Sequence, residues 1–208
     1  MYLTESFPAQ LDDRLQRICV SLQLTRTQHN LAEERYTAVG KWLEEDPQLV
    51  ASSPQIYPQG SLLIGTTVRP RDRDEYDLDL VCEVQIDWRR ITSPVVLLDV
   101  IEKRLRDHGL YRHMVERKNR CLRLNYKSEF HLDILPGCPD RLAGGSNLRV
   151  PDRKASDWKA SNPKGFARWF ESEARNFDRL LLEKMAPLPG QESVDEKPPL
   201  KRAVQLLK

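Results

Sequence analysis

Tyr57-Pro58-Gln59-Gly60-Ser61 and, after a charged loop, Glu75-Tyr76-Asp77-Leu78-Asp79-Leu80-Val81 form the stretch from which the fold is read. A short apolar run ends in a Gly-Ser turn, and a second run carries two carboxylates one residue apart. On a strand, residues two apart share a face, so Asp77 and Asp79 point one way while Leu78 and Leu80 point into a core. Two adjacent acids repel each other unless a cation sits between them, and hard divalent ions are the usual occupants. The expected ions are Mg²⁺ or Mn²⁺. Sites that handle phosphate need a third carboxylate so that two ions can clamp the attacking and leaving oxygens. The stretch Phe130-His131-Leu132-Asp133-Ile134-Leu135-Pro136 alternates in the same way and supplies Asp133.

Each piece alone is commonplace, an Asp-x-Asp strand being most often a solvated face and a Gly-Ser an ordinary turn. The order of the three is what matters: it matches a polymerase-β-like nucleotidyltransferase core. More specifically, Gln59-Gly60-Ser61-x-x-x-Gly65-Thr66, Arg69-Pro70 and Glu75-Tyr76-Asp77-x-Asp79-x-Val81 resemble the cyclic-GMP-AMP-synthase/DncV-like nucleotidyltransferases (CD-NTases), the bacterial oligonucleotide cyclases of anti-phage (CBASS) signalling. His131 to Pro136, the segment from Trp158 through Ser161-Asn162-Pro163-x-Gly165-Phe166 to Trp169-Phe170, and the closing Leu200 to Lys208 extend that resemblance.

The resemblance implies an α/β (α+β) fold with a mixed twisted sheet, a long N-terminal spine helix and the start of a helical C-terminal lobe. It implies that Asp77, Asp79 and Asp133 hold two Mg²⁺ (or Mn²⁺) ions and carry catalysis. Gly60 and Ser61 would bind the terminal phosphates, Ser61 as a binder and not as a nucleophile, with Lys201 or Lys208 neutralising the triphosphate from the second lobe. The expected partners are nucleoside triphosphates, ATP and/or GTP with pyrimidine nucleotides as further candidates, and a downstream effector activated by the cyclic di- or trinucleotide product. Two other readings stay open: a linear nucleotidyltransferase that modifies an RNA end or a protein hydroxyl, and a nucleotide-binding sensor without turnover.

The 208 residues suffice for one good-sized domain. Lys and Arg number 33 against 31 acids, so no overall positive field marks a nucleic-acid coat protein. Cys19, Cys82, Cys121 and Cys138 lack zinc-ligand spacing and read as reduced thiols of a cytoplasmic protein. Nothing here would build the zinc-holding insertion of the animal DNA-sensing members, so no double-stranded DNA is required. No apolar run is long enough to span a membrane, and none is expected as a partner.

Along the chain, residues 1–46 read as the spine helix, with Leu11, Leu15, Ile18, Leu22, Tyr36, Val39 and Leu43 as its stripe and a break near Thr25 to Asn30. Residues 47–185 read as the catalytic core, opened by a polar connection over 47–56. The loop Arg69 to Glu75 reads as a solvated connection, with Arg69, Arg71 or Arg73 as alternative phosphate contacts. A helix over Pro94–His108 stopped by Gly109, strands near 111–115 and 120–126, and a strand carrying Asp133 closed by Pro136-Gly137 complete the sheet. His131 is expected to hydrogen-bond or pack, since hard oxygens suit these ions better. A helix from Pro163 to Lys184 would bury Trp169, Phe170 and Phe177. Residues 186–199 read as a flexible proline-rich link. Residues 200–208 read as the first turns of a truncated lobe, with Leu200, Ala203, Val204 and Leu207 at helical spacing.

Overall fold

The computed structural model describes residues 7–71, 75–127, 129–174 and 188–208, with side chains from Gln10 onward. Helices α1 (Phe7–Leu22), α2 (Arg26–Glu44) and α3 (Pro47–Val50) precede β1 (Gln55–Gln59) and the one-turn α4 (Gly60–Leu63). Then come β2 (Tyr76–Glu83), α5 (Pro94–Asp107), β3 (Val115–Arg117), β4 (Leu122–Tyr126) and β5 (Phe130–Pro139). The chain continues through β6 (Leu148–Asp152), β7 (Asp157–Ser161), α6 (Pro163–Ala174) and α7 (Pro199–Leu206).

The sheet runs β1-β2-β5-β4-β3, with β6 on the far end of β5 and β7 beside β6. Only β2 and β5 are parallel, so this is the mixed α/β sheet expected. Leu78 and Leu80 of β2, Leu132 and Ile134 of β5, and Leu122 and Leu124 of β4 turn to one face. There they form the main core with Tyr36, Val39 and Leu43 of α2 and Leu98, Ile101 and Leu105 of α5. The opposite face carries a smaller cluster, Tyr57, Val81, Leu148 and Val150, and the aspartates. The period-2 alternation thus separates core from site.

Several boundaries differ from the expectation, each for a local reason. The N-terminal run is two helices: Thr25 accepts from the Gln28 amide while the Gln28 side chain accepts from the Thr25 amide, a capping box that starts α2. Tyr36, Val39 and Leu43 are buried, but Leu11, Leu15 and Ile18 of α1 remain largely exposed, and α1 buries Cys19 instead. The 47–56 connection contains α3, capped by Asp46, and the first residues of β1. Tyr111–His113 form a 3-10 turn, not a strand. Pro136-Gly137 does not close β5. Pairing with β4 ends at Ile134 and pairing with β6 begins at Cys138, so Pro136 falls where that edge has no partner to satisfy. Strand β7 was not anticipated; Trp158 within it is buried against Trp88.

On α6 the buried side is Ala167, Phe170 and Ala174, at i, i+3 and i+7. Trp169, one residue from Phe170 and so about 100° around the helix, is 58% exposed, against expectation. Phe177, Lys184 and Arg73 lie outside the described residues. The supposed flexible link places Leu188, Val194 and Lys197 in buried positions. Most informative is α7: its buried residues are Lys201 and Gln205, while Leu200 is exposed, as is Leu207 just past its end, so the helix turns polar side chains inward.

These packing assignments predict that Phe170→Ala costs about 3 kcal/mol, whereas Trp169→Ser stays within about 0.5 kcal/mol. Urea unfolding of the two variants checks the pair.

Candidate active site

Parallel pairing of β2 with β5 sets Asp79 opposite Asp133 and Asp77 opposite His131. Three carboxylates from two strands therefore meet on the face away from the core. Antiparallel pairing of β1 with β2 places Gln59 opposite Asp79, so the chain leaves β1 into Gly60 beside that carboxylate. Gly60 has φ +62°, and a Cβ there would lie 2.5 Å from Asp79 Oδ2. Both the left-handed backbone and the contact exclude a side chain. Ser61 follows, its hydroxyl 3.1 Å from that of Thr67, and the Thr66 amide donates to the Ser61 carbonyl at 2.8 Å. The turn folds back on itself at the end of the acidic strand.

Electrostatically the cluster is held by one cation that sequence reading overlooked. Arg123 on β4 stands opposite Asp133. Its Nε donates to Asp133 Oδ1 at 2.7 Å, its Nη2 to Asp133 Oδ2 at 2.8 Å and to Asp77 Oδ1 at 3.2 Å. Arg-Leu at 123–124 in an alternating strand was the available signal, but only strand order reveals which strand it faces. Asp79 makes no ion pair among the described residues. Burial first, then the charges of Asp133 and Asp77, push its carboxyl up to about 6 despite Arg123 and Lys208. His131 Nε2 lies 3.0 Å from Glu75 Oε2 and Nδ1 3.8 Å from Asp77 Oδ1, so it contacts carboxylates, in keeping with a hydrogen-bonding role.

Two of the three carboxylates share a single guanidinium while Asp79 pairs with none among the described residues, and the donors are hard oxygens. That chemistry suits Mg²⁺ or Mn²⁺. As Arg123 now holds Asp77 and Asp133, no three such groups close into a ready-made cage among the described residues.

An open cleft of about 450 Å³ adjoins the acids, lined among others by Ser61, Thr67, Arg69, Arg71, Asp77 and Lys208. Gly60, Ser61, Asp77, Asp79, Asp133 and Lys208 are thus brought together, with Arg69 and Arg71 at the cleft wall. Lys201 is not. It is 3% exposed and ion-paired to Glu171 at 2.7 Å and Glu192 at 3.1 Å, beneath Gly65, so its charge is already used. The four cysteines are free. No helix among the described residues is long and apolar enough to cross a membrane.

Residues 10–174 match the family model described as the Second Messenger Oligonucleotide or Dinucleotide Synthetase domain. The chain is 36% identical, over an alignment of 211 positions, to a c-di-GMP synthase of Roseivirga ehrenbergii, covering 100% of this chain and 56% of that protein. It is 30% identical over 194 positions to the cyclic dinucleotide synthase CdnG of Bradyrhizobium diazoefficiens, covering 86% of this chain and 43% of that one. The solved structure of the Bradyrhizobium CD-NTase CdnG in complex with GTP superposes with a TM-score of 0.70 at 26% identity, over 93% of this chain and 60% of that chain. The chain spans about half the length of the curated relatives it matches.

Two outcomes are expected. Arg123→Ala removes the shared counter-charge and leaves three facing acids, lowering stability by about 1–3 kcal/mol; added Mn²⁺ restores part of it, read from thermal melts with and without the ion. Because the folded Asp79 carboxyl sits near 6, above about 4 for an unfolded aspartate, the folded state holds the extra proton between those values. Its contribution is present at low pH and is lost as pH rises through that window. Metal-free melts from pH 4 to 7 should show this slope, and Asp79→Asn should flatten it.

Proposed function

The chain belongs to the Second Messenger Oligonucleotide or Dinucleotide Synthetase domain family, and from that footing we propose that it joins nucleoside triphosphates into a cyclic dinucleotide with release of pyrophosphate. The observation that carries this reading is the meeting of Asp77, Asp79 and Asp133 on one sheet face beside the Gly60–Ser61 turn. Of the nucleotides, GTP is the leading substrate. One named relative makes c-di-GMP and another was solved with GTP, so c-di-GMP is the product we favour. The product would signal to a downstream effector in anti-phage defence.

Asp77, Asp79 and Asp133 would hold two Mg²⁺ or Mn²⁺ ions, which when bound neutralise charge at the attacking and leaving oxygens. Ser61 offers its hydroxyl to a phosphate oxygen of the tail. Lys208, Arg69 and Arg71, all at the cleft wall, add positive charge where the triphosphate would lie. A ribose hydroxyl of a second nucleotide attacks the α-phosphorus, forming the new O–P bond. The bond from that phosphorus to the pyrophosphate oxygen breaks. Asp133 is the proposed acceptor of the hydroxyl proton. Each of its oxygens accepts one bond from Arg123 and keeps a second lone pair for the proton. A second round on the linear intermediate closes the ring. Catalysis is then chiefly positioning and charge neutralisation.

The test is incubation of the chain with labelled GTP and ATP and Mn²⁺, followed by phosphatase. The expected product resists phosphatase, because a ring has no terminal phosphate, and Asp77→Ala/Asp79→Ala reduces pyrophosphate release by at least about 10³-fold. A phosphatase-sensitive product would point to a linear transferase. Nucleotide binding without pyrophosphate release would leave a binding module.

A further inference from the structure

Helix α7 buries Gln205, and with the lysines that flank the helix, Lys197 before it and Lys208 after it, this residue donates to three successive carbonyls. Lys197 Nζ donates to the Gly65 carbonyl at 3.0 Å, Lys208 Nζ to the Thr66 carbonyl at 2.9 Å, and Gln205 Nε2 to the Thr67 carbonyl at 2.9 Å. Lys197 also donates to Gln205 Oε1 at 3.3 Å and to Gln23 Oε1 at 3.1 Å, linking two of the three donors to each other and to the end of α1. Lys197 and Gln205 are 4% and 1% exposed. On the other side, the same turn holds Ser61 twice, through the Thr66 amide and through the Thr67 hydroxyl.

A buried lysine is a costly way to hold two segments together. No carboxylate lies within ion-pair distance of Lys197 among the described residues, and burial pulls its ammonium below the usual lysine range. Apolar residues of similar volume commonly serve stability as well or better. What they cannot do is fix carbonyls in direction, since dispersion contacts carry no preferred angle. Meanwhile Leu200 is partly exposed and Leu207, just past the helix, is in solvent, with Val204 packed against the Ile64, Ala167 and Phe170 cluster.

We propose that Lys197 and Gln205 are positioning residues: they clasp the Gly65 and Thr67 carbonyls, and through Thr67 they hold the Ser61 hydroxyl where it meets the nucleotide's phosphates. The idea rests on the function proposed above for Ser61. Neither residue touches the cleft; Lys208 does, which is why it is left out of the test.

Lys197→Met and Gln205→Met remove the clasp at nearly constant volume, and Gln205→Asn, which keeps the amide but shortens its reach, serves if either fails to fold. Two measurements are made on variants with wild-type circular dichroism. In hydrogen exchange without nucleotide, the Gly65 and Thr66 amides should exchange about tenfold faster, the scale of one buried hydrogen bond, while β2 and β5 amides hold their protection. In steady-state turnover with GTP and Mn²⁺, KM should rise about tenfold with kcat changed less than about threefold. A merely structural loss would speed exchange throughout and lower kcat by shrinking the active fraction. Unchanged exchange at the turn together with unchanged KM in folded variants overturns the clasp. If the wild-type chain neither binds nor turns over GTP, the functional reading fails on its own, and the exchange data still decide whether the clasp exists.

Discussion

Everything at this site depends on one register: β2 lies parallel to β5 with Asp79 beside Asp133. Parallel neighbours require a crossover, here the excursion through α5, β3 and β4. That excursion also delivers Arg123, on the strand flanking β5 on its other side, to the same face. A slip of one residue in either pairing would send a carboxylate into the leucine core. The core is thus what enforces the juxtaposition of like charges. Leu78, Leu80, Leu132 and Ile134 are at or near complete burial, and their transfer from water, at about 25 cal/mol per Å² of apolar surface, opposes the repulsion on the other face.

The acids outnumber the cation that holds them. One guanidinium serves Asp133 and Asp77, and Asp79 is left to its neighbours' repulsion. Such a set gains from further positive charge, which is how a carboxylate cluster becomes a binding site for hard cations. Arg123 bridges Asp133 and Asp77, and the Gly60 backbone lies close against Asp79.

Behind the acids, the turn from Gly60 to Thr67 is held between the sheet and the last helix. Its glycines at 60 and 65, both at positive φ, let it approach Asp79 on one side and the Lys201–Glu192 pair on the other. The residues after the turn, Arg69 and Arg71, stand at the cleft wall, so a loop that reads as a solvated connection also lines the place where a polyanion would lie. Family membership and the likeness to CdnG agree with the fold that carries this turn.

The amino-acid sequence alone determined the alternation on β2 and β5 and the Gly-Ser turn, because period-2 patterning and turn chemistry are local properties; the nucleotidyltransferase fold was implied by the resemblance that these pieces and the three aspartates carry in their order. It could not place Arg123, since an arginine on an alternating strand gains meaning only from the strand it pairs with. It misjudged α7 and Lys201 as well. Helical spacing of Leu200, Ala203, Val204 and Leu207 suggests an apolar seam, but a helix buries whichever side finds partners. Here three backbone carbonyls and Glu171, distant in sequence, together with the nearer Glu192, satisfied the lysines and the glutamine. Hydrogen-bond satisfaction of buried polar groups is a property of the assembled neighbourhood, and only the tertiary structure could decide it.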